Sequence, residues 1–272
     1  VLPSLGVSFV LFGVPVLAVV WLSLTDAALR GQPARFVGLR NYVALAQDGR
    51  LAGACVNTLV IALAGAVLQT GLGLALALAL DALRRGAQAV LALAMLPNII
   101  TPVVGALFLR WIFLARWGLA DAVLVPMGVT PPDWLGDPTW ARALVVAGDS
   151  WRAMPFAALV IYAALQMLDR ALVDAARVDG AGGLQVLRHV IFPALRPVLL
   201  VVFGLRLMDG VRLFDLVYVL TDGGPGSATE TVSLYAYTMA MRRLEIGPAA
   251  AVCVIAAVLA LVPLLALRMR RW

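Results

Sequence analysis

The 272-residue sequence contains no lysine. A P-loop needs GxxxxGK followed by Ser or Thr, because the lysine reaches the nucleotide phosphates, so the chain cannot bind ATP by that route. The single histidine, His189, cannot build a histidine-rich metal site. Cys55 and Cys253 lie far apart, each beside or within an apolar segment, which indicates neither a disulfide scaffold nor a metal cluster; both read as small buried hydrophobes. Charge is scarce as well, at 13% of residues against 63% hydrophobic and a mean hydropathy of +0.98. One soluble core cannot absorb that much apolar surface, and so few charges cannot cover it. Short-period repeats, low-complexity tails and a soluble domain are all missing from the sequence.

What is abundant is apolar sequence in long runs. A helix that spans a bilayer needs about 20 mainly apolar residues, and six such stretches predict an all-α integral membrane protein: Ser4 to Leu24, Thr58 to Leu80, Ala89 to Leu114, Arg142 to Leu168, Leu195 to Leu220 and Pro248 to Leu267. An even number of spans puts both ends on one side. The chain opens in apolar sequence without a basic stretch and cleavage site, so the first span reads as retained. Residues 1–272 read as a single transmembrane domain.

All 21 basic residues are arginine and the sequence pI is 10.1. They are dispersed along hydrophobic segments and their connections, without the basic groove and interleaved aromatics of a nucleic-acid binder. Over six spans they divide almost evenly between the two faces, but local clusters agree on one. Arg84 and Arg85 follow the second span, Arg170, Arg177, Arg188 and Arg196 follow the fourth, and Arg268, Arg270 and Arg271 close the chain. The positive-inside rule places that face, with both termini, in the cytoplasm. Arg110, near the outer end of the third span, reads as a snorkelling side chain.

Residues 174 to 197, DAARVDGAGGLQVLRHVIFPALRP, interrupt the apolar runs with a polar, glycine-bearing segment. Leu172, Ala175 and Ala176 give a small-residue helical face, and Asp174 and Arg177 supply its polar edges. Gly180, Gly182 and Gly183 permit a sharp turn. Leu184, Leu187 and Ile191 then recur at helical spacing, as a helix that enters a partner's groove would have them. Pro193 and Pro197 sit at the start of the fifth span, where missing amide donors are tolerated.

This segment resembles the EAA loop of ABC-importer permeases through Asp174, Ala175, Ala176, Asp179, Gly180, Ala181, Ile191 and Pro193, with aspartate and phenylalanine where the family usually has glutamate and leucine. The GLRNY and NT residues between the first two spans, MLPNIITPVVGALFLRWIF, and the segment TDGGPGSATET at Thr221 to Thr231 are similar to the carbohydrate-uptake type, which carries sugars, polyols or glycerol phosphates. The resemblance implies the type I importer fold, with cytoplasmic coupling helices between the fourth and fifth helices in a loop at 169–194. Asp174, Ala175, Ala176, Asp179, Gly180, Ala181, Leu184 and Pro193 then touch an ATPase. It also implies a bacterial cytoplasmic (inner) membrane location, a second homologous permease, an ATPase subunit dimer and an external solute-binding protein. ATP and Mg belong to the ATPase, His189 falls at its interface, and this chain needs no cofactor, no metal and no catalytic residue.

Charges at membrane depth cost several kcal/mol unless they are paired or face a water-filled cavity. Arg206, Asp209, Arg212 and Asp215 recur every three residues of the fifth span, so neighbours pair while the series turns around the helix. Asp149 and Arg152 form a similar pair in the fourth span, ahead of Pro155, whose ring removes an amide donor and exposes a carbonyl. The WxxxP arrangement of Trp151 and Pro155 also resembles the family, whose substrate site lies between these two spans. By that resemblance the substrate path takes in Asp149, Arg152, Ala153, Phe156, Asp209, Gly210 and Leu213. The alternative is that the charges only pair to hold helices together.

Two other functions are distinguishable. An intramembrane aspartyl protease would use Asp149 with Asp209, but each has an arginine three residues away, whereas a shared-proton dyad needs two carboxylates close together without such compensation. An amino-acid or peptide permease shares the loop and lacks GGPGSATET.

Overall fold

The computed structural model describes residues 6–29, 33–83 and 85–269, with side chains placed through residue 261. Arg84, Arg270, Arg271 and the side chain of Arg268 lie outside the described residues, as does Ser4. The fold is helical, and its only β pairing among the described residues is two isolated bridges, Thr25 with Phe36 and Ala28 with Glu245.

Among the described residues, four helices are long and apolar enough to cross a membrane: α1 (Gly6–Ser23), α3 (Gly49–Ala82), α7 (Pro138–Gln166) and α9 (Gly183–Val211). Between the first two lies the short α2 (Arg40–Ala46). The third predicted span is a bent pair, α4 (Ala87–Ile99) and α5 (Pro102–Ile112), which meet at 90° and make a fifth span if counted together. The bend has a local cause. Pro102 disfavours helical backbone at the residue before it, and Ile100 and Thr101 are both extended. A short helix, α6 (Leu119–Leu124), follows in the next connection.

The fifth predicted span is also broken. After α9, Arg212 to Phe214 leave helical geometry, and α10 (Asp215–Leu220) starts a new helix. The Thr231 hydroxyl donates to the freed Leu213 carbonyl at 3.0 Å. Asp215 therefore does not continue the arginine–aspartate ladder on one helix. The last elements are α11 (Val232–Tyr237), which runs into a π turn, and α12 (Ile246–Met269), apolar through Leu261. Four to five spans, rather than six, meet the length and hydropathy test among the described residues.

The core is α3 packed against α7 and α9. Small residues allow the approach. A Cβ on Gly210 of α9 would stand 2.7 Å from Ala62 Cα, and one on Gly73 would stand 2.9 Å from Ala157 Cβ. The outward faces carry exposed Val60, Leu63 and Val67 of α3 and nearly all of α1, as expected of surfaces that meet lipid. Cys55 is half-buried and Cys253 is exposed, so only the first approaches the predicted buried role.

Candidate functional site

Three regions carry the polar residues: the segment between α7 and α9, the middle of the α3–α7–α9 core, and the opposite end of the bundle.

In the first region, Asp169 caps α8 (Arg170–Val178) by accepting the Ala171 amide at 2.9 Å. The helix stops because Gly180 adopts φ +83°, which lets the Gly180 amide reach the Arg177 carbonyl at 3.0 Å and the Ala181 amide reach the Ala176 carbonyl at 2.9 Å. These two bonds make a Schellman stop, which favours glycine at that position. Gln185 Oε1 then accepts the Gly182 amide at 2.8 Å and starts α9. Pro193 has no amide for the carbonyl four residues back, and the helix passes through a π turn at Leu187–Ile191 just before it.

Val173 and Val186 are buried and hold α8 to the first turns of α9. Asp174, Ala175, Asp179, Gly180, Leu184 and Pro193 are exposed, and Ala176 and Ala181 half-buried. Asp174 lies 3.8 Å from Arg177, both on the surface. Leu172, Val178 and Leu184 are exposed apolar side chains outside the spans, Leu184 at 77%. His189 Nδ1 lies 3.0 Å from the Gln185 carbonyl of its own helix. Asp81, near the end of α3, accepts from both arms of Arg170 and from Gln166 Nε2 at 2.8 Å. That carboxylate is the chief reason the Arg170 pKa is raised.

In the core, Asp149 is 7% exposed and accepts from Gln69 Nε2 at 2.8 Å and from Arg152 at 3.1 Å. Asn98 donates to the Arg152 carbonyl at 3.2 Å, so a carbonyl in the turn before Pro155 is capped by α4. On α9, Asp209 bridges Arg206 at 2.8 Å and Arg212 at 2.9 Å. Arg206 lies over the Phe156 ring, 5.1 Å from its centroid, which brings the α7 and α9 groups together. Asp149 is bonded by Arg152 and Asp209 by both Arg206 and Arg212, and among the described residues no hydrogen bond links the two carboxyl groups as a dyad would. Ala153 and Leu213 are buried in packing contacts, as is Gly210 against Ala62. Thr70 Oγ1, Ser150 Oγ and Arg206 Nε are buried without a partner among the described residues. Gln69, Thr70, Asn98 and Ser150 were not singled out from sequence, although Gln69 and Thr70 are the polar interruption of an otherwise apolar run.

At the opposite end, the residues of the two sequence motifs meet. Asn41 donates to the Ser23 and Thr25 carbonyls, each at 2.8 Å. Asn57 donates to the Ser227 carbonyl at 2.9 Å, and Thr58 Oγ1 accepts the Val232 amide at 2.9 Å. Arg142 Nε reaches the Ala228 carbonyl at 2.9 Å, and Arg50 grips buried Glu230. Tyr235 donates to Asp48, the cap of α3. That bond, aided by the Arg50 and Leu51 amides, holds the Asp48 carboxyl below the usual range against the opposing effect of burial. Arg110, exposed in the last turn of α5, donates to the Val219 carbonyl at 2.8 Å. Trp134 packs edge-on to Trp140 and donates to Asp121 at 3.0 Å, folding its loop back on itself. Phe214, Tyr218 and Tyr237 form an aromatic group with centroids 5.1 to 5.4 Å apart.

The chain is similar to known proteins over nearly its whole length. The family profile described as "Binding-protein-dependent transport system inner membrane component" matches residues 3–270. The chain is 34% identical over 237 residues to the trehalose/maltose transport system permease protein MalF of Thermococcus litoralis, covering 87% of this chain and 80% of that one. It is 33% identical to the sulfoquinovosyl glycerol transport system permease protein SmoG of Agrobacterium fabrum, over 89% of this chain and 79% of that one. Among solved structures, a chain of a bacterial alginate ABC transporter in complex with an alginate pentasaccharide-bound periplasmic protein shares the fold, with a TM-score of 0.85 at 23% identity, covering 99% of this chain and 92% of that one. The chain belongs to the family of binding-protein-dependent transport system inner membrane components, as a multi-pass permease subunit of an ABC importer that is not itself catalytic and has no cofactor of its own.

Proposed function

We propose that this permease moves a sugar, or a related polyol or glycerol phosphate, into the cytoplasm by alternating access. Residues 1–272 act as a single permease domain of six spans with both termini cytoplasmic. The bent pair α4–α5 supplies the third span, α9 with α10 the fifth, and α12 the sixth. The relatives are permeases for trehalose and maltose, for sulfoquinovosyl glycerol and, at 29% identity, for sn-glycerol 3-phosphate, which supports the carbohydrate class.

The observation that carries the reading is α8 with its Schellman stop at Gly180: a short exposed helix beside the spans, with Leu172, Val178 and Leu184 on its surface and that of the adjoining turn. Such a knob suits a groove on an ATPase subunit. Asp174, Ala175, Ala176, Asp179, Gly180, Ala181, Leu184 and Pro193 form the coupling contact. A second homologous permease covers the other half of the path, two ATPase subunits drive it, and an external solute-binding protein delivers the solute to the end that carries Glu230.

Within the path, Asp149, Arg152, Phe156 and Asp209 line the polar seam, and Ala153, Gly210 and Leu213 shape its wall. The partnerless Ser150 Oγ, Thr70 Oγ1 and Arg206 Nε support a route whose polar groups are met by solute or water. The test is to purify the chain with its partners from native membranes and assay ATPase activity with candidate sugars and the binding protein. Stimulation by one loaded binding protein identifies the importer and its solute; a chain isolated without an ATPase contradicts the reading.

A further inference from the structure

The segment 169–194 is joined to the three core helices in three different ways. It runs into α9 as one unbroken helix from Gly183 to Val211. It leaves α7 through only Met167, Leu168 and Asp169. It has no covalent link to α3, whose end is distant in sequence. Among the described residues, Arg170 is the only member of the segment whose side chain makes a polar bond outside it, and that bond goes to Asp81 of α3.

Asp81 is well placed for this. It lies in the last turn of α3, its side chain is 16% exposed, and it accepts from two elements at once. Gln166, the last residue of α7, donates at 2.8 Å, and Arg170, the first residue of α8, donates with both arms, one of them at 2.9 Å. A two-armed guanidinium contact fixes orientation as well as distance. The three-residue link between α7 and α8 is thereby bridged on both sides by one carboxylate. The Arg170 side chain is 52% exposed, so solvent screens the pair and limits its contribution to folding stability; the geometry points to a mechanical use.

We propose that Asp81 is a positioning residue for coupling: it clamps the end of α3 to the start of α8, so that movement of the loop turns α3, α7 and α9 as one body. Without the clamp, α8 turns on residues 167–169 before the packed α3, α7 and α9 follow it. This rests on the proposed coupling role of residues 169–194.

The test uses the assembled importer in proteoliposomes, with solute imported per ATP hydrolysed as the readout. Asp81→Ala is expected to keep the ATPase subunits bound while import per ATP falls at least about fivefold, the lower end of typical coupling strengths. Arg170→Ala, on a half-exposed side chain, reads the same clamp even if Asp81→Ala does not assemble. The exchange Asp81→Arg with Arg170→Asp restores the ratio, and equal amounts of assembled complex in the single and exchange variants place the effect in coupling rather than in general stability. Unchanged import per ATP in Arg170→Ala, or no recovery in an assembled exchange variant, overturns the clamp. Gly180→Arg in parallel separates the two ideas: if it uncouples while Arg170→Ala does not, the loop's role stands and the clamp falls; if neither uncouples, both fall.

Discussion

Glu230, 3% exposed in the segment that ends GSATET, receives Arg50 from the first turn of α3 through two bonds of 2.7 and 2.8 Å. The two residues are 180 apart in sequence, so this pair fixes a long loop to the start of a core helix. Removing the arginine leaves a buried carboxylate unsatisfied, which costs about 1–3 kcal/mol. Because Arg50 is itself 44% exposed, screening by solvent places the effect toward the lower end. Arg50→Ala is therefore expected to lower the thermal stability of the purified complex, and a paired Arg50→Met and Glu230→Leu substitution to recover part of it.

The neighbouring bond from Tyr235 to Asp48 should report on pH. The Asp48 carboxyl is held below the usual range, so its stabilising effect is complete above the unfolded carboxyl value and is lost as pH falls through the lower folded value. The Tyr235 hydroxyl is pushed up, first by burial and then by Asp48, so its contribution is lost only on the alkaline side. The stability difference between the native chain and Tyr235→Phe should hold constant from about pH 5 to 8 and shrink below about pH 4. Melting curves across that range check it, and a difference undiminished at pH 3 contradicts it.

Gly180 is the residue on which the loop geometry turns. At φ +83°, with open space around it, a side chain meets no neighbour but must occupy left-handed backbone, which costs about 1–2 kcal/mol. Gly180→Ala is expected to weaken coupled uptake while expression and insertion persist, and Gly180→Arg to abolish uptake by adding bulk at the proposed docking face. Full uptake by the arginine variant would remove the coupling role.

Gly210 and Asp209 are adjacent and should behave differently. A Cβ at 210 meets Ala62 of α3, so Gly210→Val forces α9 away from α3, costs about 1–3 kcal/mol and reduces the amount of assembled complex. Asp209, 44% exposed between two arginines, should affect uptake more than assembly when changed to Leu. Comparing yield with transport for the two variants separates packing from path. A loss of yield alone in Asp209→Leu favours a structural ion pair.

How much of this was legible in the sequence differs from element to element. Apolar run length located the bundle, and the glycine at 180 announced its turn because few other residues adopt that backbone. The unbroken third and fifth spans were misread. Ile100 and Thr101 become extended through Pro102, and the break after Val211 is sustained by Thr231, a residue 18 positions later whose hydroxyl satisfies Leu213. Periodicity within one helix carries no trace of that contact. The i,i+3 pairing of Asp149 with Arg152 followed from spacing, but the reach of Gln69 to Asp149 is a contact across 80 residues that only packing of α3 on α7 creates. The Asp81–Arg170 clamp was hidden for the same reason.

Docking of the loop on the ATPase is tested by placing a photo-crosslinking residue at Leu184, exposed in the first turn of α9, and another at Leu63, exposed on the outer face of α3, in the importer assembled in membranes. An adduct is expected between position 184 and the ATPase subunit and none from position 63. An intact complex in which position 184 forms no ATPase adduct would contradict the assignment of residues 169–194 as the coupling loop.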